Sequence, residues 1–112
     1  MTLDMSSFGS LISSARKALK LSQKELAAKI VKEDGEAITP QYLNDIEHDR
    51  RSPSSDYLVK QFAKVLKADG VTPEVLAALA GILSDDDLKR VKRSTPEQVN
   101  NAMVAFRKEL KK

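Results

Sequence analysis

Residues 38–53 read Ile-Thr-Pro-Gln-Tyr-Leu-Asn-Asp-Ile-Glu-His-Asp-Arg-Arg-Ser-Pro. Thr39 before Pro40 marks a helix start. A hydroxyl at the N-cap accepts a bond from an otherwise unpaired amide, and proline at the first helical position has no amide to waste and a φ already suited to helix. The stretch predicts a short helix from about Pro40 to His48. Leu43 and Ile46, three residues apart, turn one face of it onto a core. Gln41, Tyr42, Asn44, Asp45 and His48 are left as its outward side chains.

Upstream, residues 16–30 read Arg-Lys-Ala-Leu-Lys-Leu-Ser-Gln-Lys-Glu-Leu-Ala-Ala-Lys-Ile. Here Ser22 and Glu25 have capping-box spacing, and Leu26, Ala27 and Ile30 follow at helical intervals. The same punctuation recurs along the chain: Ser52-Pro53, Thr72-Pro73 and Thr95-Pro96 each look like a helix start, the last with Gln98 at capping-box distance. Ser84 precedes Asp85, Asp86 and Asp87, with Lys89, Arg90 and Lys92 beyond, so that acidic first and basic last turns oppose a helix dipole. Phe8, Leu11, Ile12, Ala15 and Leu19, and later Leu58, Phe62, Val65 and Leu66, are also spaced as helix faces. Alternating strand patterns are absent. The expected architecture is all-α, with helices near 7–18, 23–31, 40–48, 54–67, 73–83 and 96–110 and a short turn at 85–91. The first five helices hold most of the apolar residues. A core domain is therefore expected over residues 1–83, followed by a helical appendage over 84–112.

A chain of 112 residues with 41% hydrophobic and 31% charged side chains suits one compact domain plus a short extension and excludes a fibrous or largely disordered chain. No apolar run approaches the ~18 residues of a membrane span, and residues 1–7 lack a signal peptide's layout, so a cytoplasmic protein without membrane attachment is expected. There is no cysteine and His48 is the only histidine. That removes thiolate chemistry and most zinc schemes, and neither a metal nor a cofactor is expected. The net charge of +3 is unevenly placed: residues 1–56 carry eight basic and nine acidic side chains, and residues 57–112 carry eleven and seven. The modest excess favours a polyanionic partner only weakly.

Leu21-Ser22-Gln23 with Glu25-Leu26-Ala27, and Tyr42-Leu43-Asn44-Asp45-Ile46-Glu47 followed by Arg50, Arg51, Ser52 and Pro53, resemble the Cro/repressor-type helix-turn-helix proteins of the xenobiotic response element family. The resemblance covers roughly residues 8–80. It implies a five-helix repressor-like domain, here with an additional C-terminal helix, that binds double-stranded DNA and reads the major groove with the helix at 40–48. Two helices crossing steeply need a small residue where they meet, and Ala27 holds that place. Position by position, the resemblance implies base contacts for Pro40, Gln41 and Asp45, and base or phosphate contacts for Tyr42 and Asn44. Gln23 matches a phosphate-binding residue at a helix N-terminus, and Thr39, Arg50 and Arg51 are further phosphate candidates. Arg16 and Glu47 match a pair that joins the first helix to the end of the recognition helix. The major groove presents a distinct donor and acceptor pattern for each base pair, and an amide such as Gln41 or Asn44 can pair with adenine through both of its groups. Asp45 would favour cytosine N4, against repulsion from phosphates.

Two positions depart from the family pattern. Val31 stands where glycine usually makes the tight turn, and about six residues, 32–37, intervene before Ile38. Either the second helix extends and the loop swings away, or the loop meets a neighbouring subunit or protein; Gly35 can supply a positive φ, and Glu33, Asp34 and Glu36 make the segment acidic. Asp49 stands where glycine often ends the recognition helix, a place Asp tolerates better than most residues.

In the appendage Val99, Met103, Phe106 and Leu110 form a narrow apolar stripe, to be covered either by the chain's own domain or by a second subunit in a homodimer. Lys89-Arg90-Val91-Lys92-Arg93 is either a phosphate grip or a solvated helix end. His48 carries no assigned chemistry, and the Asp85–Asp87 run reads as helix capping. A sequence-specific transcriptional regulator, a repressor binding a palindromic operator as a dimer, is the expected function. A protein-interaction module on the same fold, such as an antitoxin or adaptor with a protein partner, is the alternative. No nucleophile-and-base arrangement, phosphate loop or cofactor motif suggests an enzyme.

Overall fold

The computed structural model describes residues 3–53, 55–67 and 70–111. Its helices are α1 (Phe8–Ala18), α2 (Gln23–Lys29), α3 (Pro40–Glu47), α4 (Asp56–Leu66), α5 (Pro73–Ala80), α6 (Asp85–Lys92) and α7 (Pro96–Glu109). The fold is all-α. Two compact units divide the chain, Met1–Ile82 and Leu83–Lys112. No described helix is long and apolar enough to cross a membrane.

Each helix begins on a side-chain cap. Ser7, Ser22, Thr39, Ser55, Thr72, Ser84 and Thr95 all have extended backbone and accept a bond from an amide three residues on. The expected start at Ser52-Pro53 is displaced. Helix α4 is capped by Ser55, whose hydroxyl accepts from Leu58 N, and Pro53 is buried in the connecting loop. Burial of the ring against the domain outweighs its suitability as a first helical residue. The expected start of this helix at residue 54 lies outside the described residues.

In the first unit, α1 packs on α3, α4 and α5, α2 packs on α3, and α4 packs on α5. Leu11, Ile12, Leu26, Ile30, Leu43, Ile46, Val59, Phe62, Leu66 and Leu76 are fully enclosed at the centre. Phe8 meets Phe62 edge-on, with ring centroids 6.0 Å apart at 85°, the arrangement that places a positive ring edge on a negative face. Leu19, expected on the core face, is 43% exposed. It is the C-cap of α1, and the chain reverses at Lys20 with φ 59°, while Leu21 N returns to Arg16 O at 3.2 Å.

Helix α2 does not extend into the long connection. It ends at Lys29, and the connection forms a miniature hairpin: Val31 and Ala37 make an isolated antiparallel bridge, Ile38 N bonds Ile30 O and Lys32 N bonds Glu36 O. Gly35, with φ 90°, turns the tip, where a residue with a Cβ would be strained. Glu33, Asp34 and Glu36 are all exposed on it.

The second unit holds two helices where one helix and a short turn were expected. Residues 85–92 form an eight-residue α6, stabilised by its acidic first turn and basic last turn and by an Arg90–Asp87 ion pair of 3.1 Å. Helix α7 opens with a capping box of Thr95 and Gln98. Neither helix buries a residue fully.

Candidate nucleic-acid interface

Helix α3 is held from beneath and at both ends. Leu43 and Ile46 are sealed in the core, so their face is fixed and the opposite face turns outward. At the front, Thr39 Oγ1 accepts from Tyr42 N at 3.0 Å. Behind, Asp49 adopts φ 59° and Arg50 N returns to Asp45 O at 2.8 Å, which satisfies the last carbonyls as a glycine-ended helix would. The Asp49 carboxylate then does what glycine cannot: it accepts from Gly9 N at 3.0 Å and from Ser7 Oγ at 2.6 Å. The end of α3 thereby caps the start of α1, where a negative charge opposes the helix dipole.

A second brace runs beneath the helix. Arg16 Nε donates to Glu47 Oε2 at 2.7 Å and Arg16 Nη2 to Glu47 Oε1 at 3.0 Å, with Arg16 Nη1 donating to Leu21 O at 2.8 Å. The two side chains are 11% and 3% exposed. A two-pronged pair of this kind is geometrically specific as well as strong. Gln23, the first residue of α2, donates from Nε2 to Asn44 Oδ1 and to Glu47 Oε1, both at 3.1 Å. It thus bridges the two helices.

The outward face is a polar network centred on Asp45. Gln41 Nε2 donates to Asp45 Oδ1 at 3.2 Å, and Arg50 Nε reaches the same oxygen at 3.1 Å. Arg51 Nε lies 3.7 Å from Asp45 Oδ2, with its guanidinium 5.9 Å from the Tyr42 ring centre. Thr39, Pro40, Gln41, His48, Arg50 and Arg51 are exposed, while Gln23, Tyr42, Asn44 and Asp45 are half-buried. His48 Nδ1 donates to Asn44 O at 2.8 Å.

Thr39, Pro40, Gln41, Tyr42, Asn44, Asp45, Arg50 and Arg51 therefore converge on α3 and the turn after it, with Gln23 beside them. The apolar stripe lies elsewhere, on the second unit. There Val99 is half-buried and Met103, Phe106 and Leu110 are 41%, 52% and 62% exposed. Among the described residues no cluster of His, Asp or Glu has metal-holding geometry. Sequence reasoning missed the contact partners of Asp49, and it missed Gly9. A Cβ on Gly9 would press on Ile46 O and lie 2.8 Å from Glu47 O and 2.7 Å from Asp49 Oδ1. A glycine amid a helical apolar pattern was the available signal.

Two short helices packed on each other, the first burying Ala27 and the second offering a polar face that the core fixes in place, define a helix-turn-helix DNA-binding domain. A family model described as Helix-turn-helix matches residues 12–76, more than half of the chain. The chain belongs to this family, the Cro/C1-type helix-turn-helix proteins of the xenobiotic response element family, whose members are DNA-binding transcription regulators. No curated protein and no solved structure matches the chain.

Proposed function

We infer that the protein is a repressor that binds a palindromic operator as a homodimer, with α3 in the major groove of each half-site. The observation that carries this reading is the polar face of α3, presented by the exposed Gln41 and the half-buried Asn44 above the buried Leu43 and Ile46. Gln41 is placed to read a base edge. Arg50 and Arg51 flank it as phosphate contacts, supplying attraction that positions the domain without specifying sequence. Asp45 partly neutralises both, which limits non-specific binding. Thr39, exposed at the N-terminus of α3, adds a contact where free amides face an anion. The dimer is supplied by α7, whose stripe of Met103, Phe106 and Leu110 is open to solvent. A regulator of this kind acts in the cytoplasm, where its operator lies.

The test is selection of bound duplexes from random DNA, followed by titration of the selected site. Expected are one preferred sequence with two inverted half-sites, binding that weakens steeply with salt, and loss of the preference in Gln41→Ala. The acidic hairpin of residues 31–37 favours a second reading, a module that docks on a basic protein partner. A stable heterocomplex without any DNA preference would establish that reading instead.

A further inference from the structure

The hydrogen-bond polarity of one residue on the outer side of α3, Asn44, follows from a buried carboxylate. Glu47 is held by Arg16 through both oxygens and is almost fully buried; as a carboxylate it only accepts. The Gln23 amide group facing Glu47 Oε1 at 3.1 Å must therefore be its NH2. The same nitrogen lies 3.1 Å from the Asn44 amide. A donor requires an acceptor there, so Asn44 turns Oδ1 inward and leaves Nδ2, with two N–H groups, on the outer side. Among the described residues nothing accepts from that nitrogen.

Gln41 differs. One of its N–H groups is taken by Asp45 Oδ1, which leaves a second N–H and Oε1. A donor beside an acceptor matches the adenine edge. Asn44, with Oδ1 turned inward to Gln23, presents its donors on the outer side, and the guanine edge has acceptors alone, N7 and O6. Cytosine, which offers an N4 donor, is the worst match. We propose that Asn44 selects guanine in the major groove, and that Gln23 is the positioning residue that fixes its polarity through the link to Glu47. Both side-chain amide hydrogens of Gln23 are spent on Asn44 and Glu47, so a phosphate would meet this residue through its backbone N–H at the start of α2. The proposal rests on the reading that α3 enters the major groove.

The experiment measures binding of the full chain to the selected duplex and to variants carrying each base at each half-site position, for wild type, Gln41→Ala, Asn44→Ala, Asn44→Asp and Gln23→Ala. Thermal melts verify that each variant is folded. Wild type is expected to prefer guanine at one position by roughly 5- to 150-fold, and Asn44→Ala to lose that preference while keeping the adenine preference elsewhere. Replacing that guanine with 7-deazaguanine should weaken wild type and leave Asn44→Ala unaffected. Asn44→Asp keeps the bond from Gln23 and exchanges the outward N–H groups for an oxygen, so the preference should move to cytosine. Gln23→Ala should erode guanine preference at the same position with an unchanged salt dependence. Adenine preference at the Asn44 position, an equal loss on all sequences in Asn44→Ala, or a flatter salt dependence in Gln23→Ala would overturn the proposal alone. If no variant, Gln41→Ala included, alters any base preference, α3 is not the reader and both readings fall.

Discussion

At Gly9, helix α1 passes so close to the end of α3 that a methyl group has no space. Two of the atoms it would strike are backbone carbonyl oxygens, which cannot rotate away as a side chain would. Alanine is intrinsically the better helix former by about 1 kcal/mol. Gly9→Ala should nevertheless destabilise by about 1–3 kcal/mol, the usual cost of forcing atoms into a packed site, and lower the melting temperature by several degrees. A melting temperature equal to or above that of the wild type would mean that α1 and α3 separate freely at this point. Glu47 makes a related case. Its removal leaves the Arg16 guanidinium and the Gln23 amide in a half-closed site without their acceptor, and breaking such a pair from one side costs about 3–5 kcal/mol. Glu47→Ala should therefore shift the urea midpoint downward, and unchanged stability would show that the brace contributes little.

The elements were legible where their signals were local. Thr39-Pro40, Thr72-Pro73 and Thr95-Pro96 place a cap and a first residue side by side, so α3, α5 and α7 begin where the sequence places them. Signals that depend on distant contacts were not legible. Whether Ser52 or Ser55 caps α4 is decided by burial of Pro53, and the hairpin at residues 31–37 is held by a single bridge and a few backbone bonds that leave no alternating pattern. The polarity of Asn44 depends on Glu47 through Gln23, 24 residues away in sequence from Glu47. The capping box of α2 is the opposite case, wholly local, and it predicts a pH dependence. Glu25 accepts from Ser22 N at 2.9 Å, and the bonds to Ser22, assisted by Lys29, hold its pKa below the usual 4.5. Folding thus favours the ionised form. This contribution is present above pH 4.5 and is lost as the pH falls through the lower value of the folded state. Denaturation of wild type and Glu25→Gln at about pH 6 and about pH 3 should show a stability difference that shifts against wild type in acid. A difference independent of pH would remove Glu25 from the cap.

For the whole molecule, the decisive property is that the polar face of α3 belongs to one compact unit and the apolar stripe of α7 to the other. Among the described residues every buried hydrophobic one lies between Phe8 and Ala77, whereas the unit Leu83–Lys112 offers Leu88, Val91, Met103, Val104, Phe106 and Leu110 at least a third exposed. Apolar surface left in water on a regular helix is favourable to bury, at about 25 cal/mol per Å². In the proposed homodimer a second copy would supply an identical stripe related by a two-fold axis, and such an axis is also what an operator with inverted half-sites requires. Joining two reading heads makes the second contact intramolecular and raises affinity by about 10²- to 10⁴-fold without any new contact to DNA. Phe106→Lys in the full chain, or removal of residues 95–112, should therefore halve the molar mass in solution and weaken binding to a two-half-site duplex by that factor. Affinity for a single half-site should be unchanged, because α3 and its braces all lie before residue 83. An unchanged molar mass in both variants would eliminate α7 as a dimer interface. A halved mass with undiminished operator binding would mean that the two heads act independently.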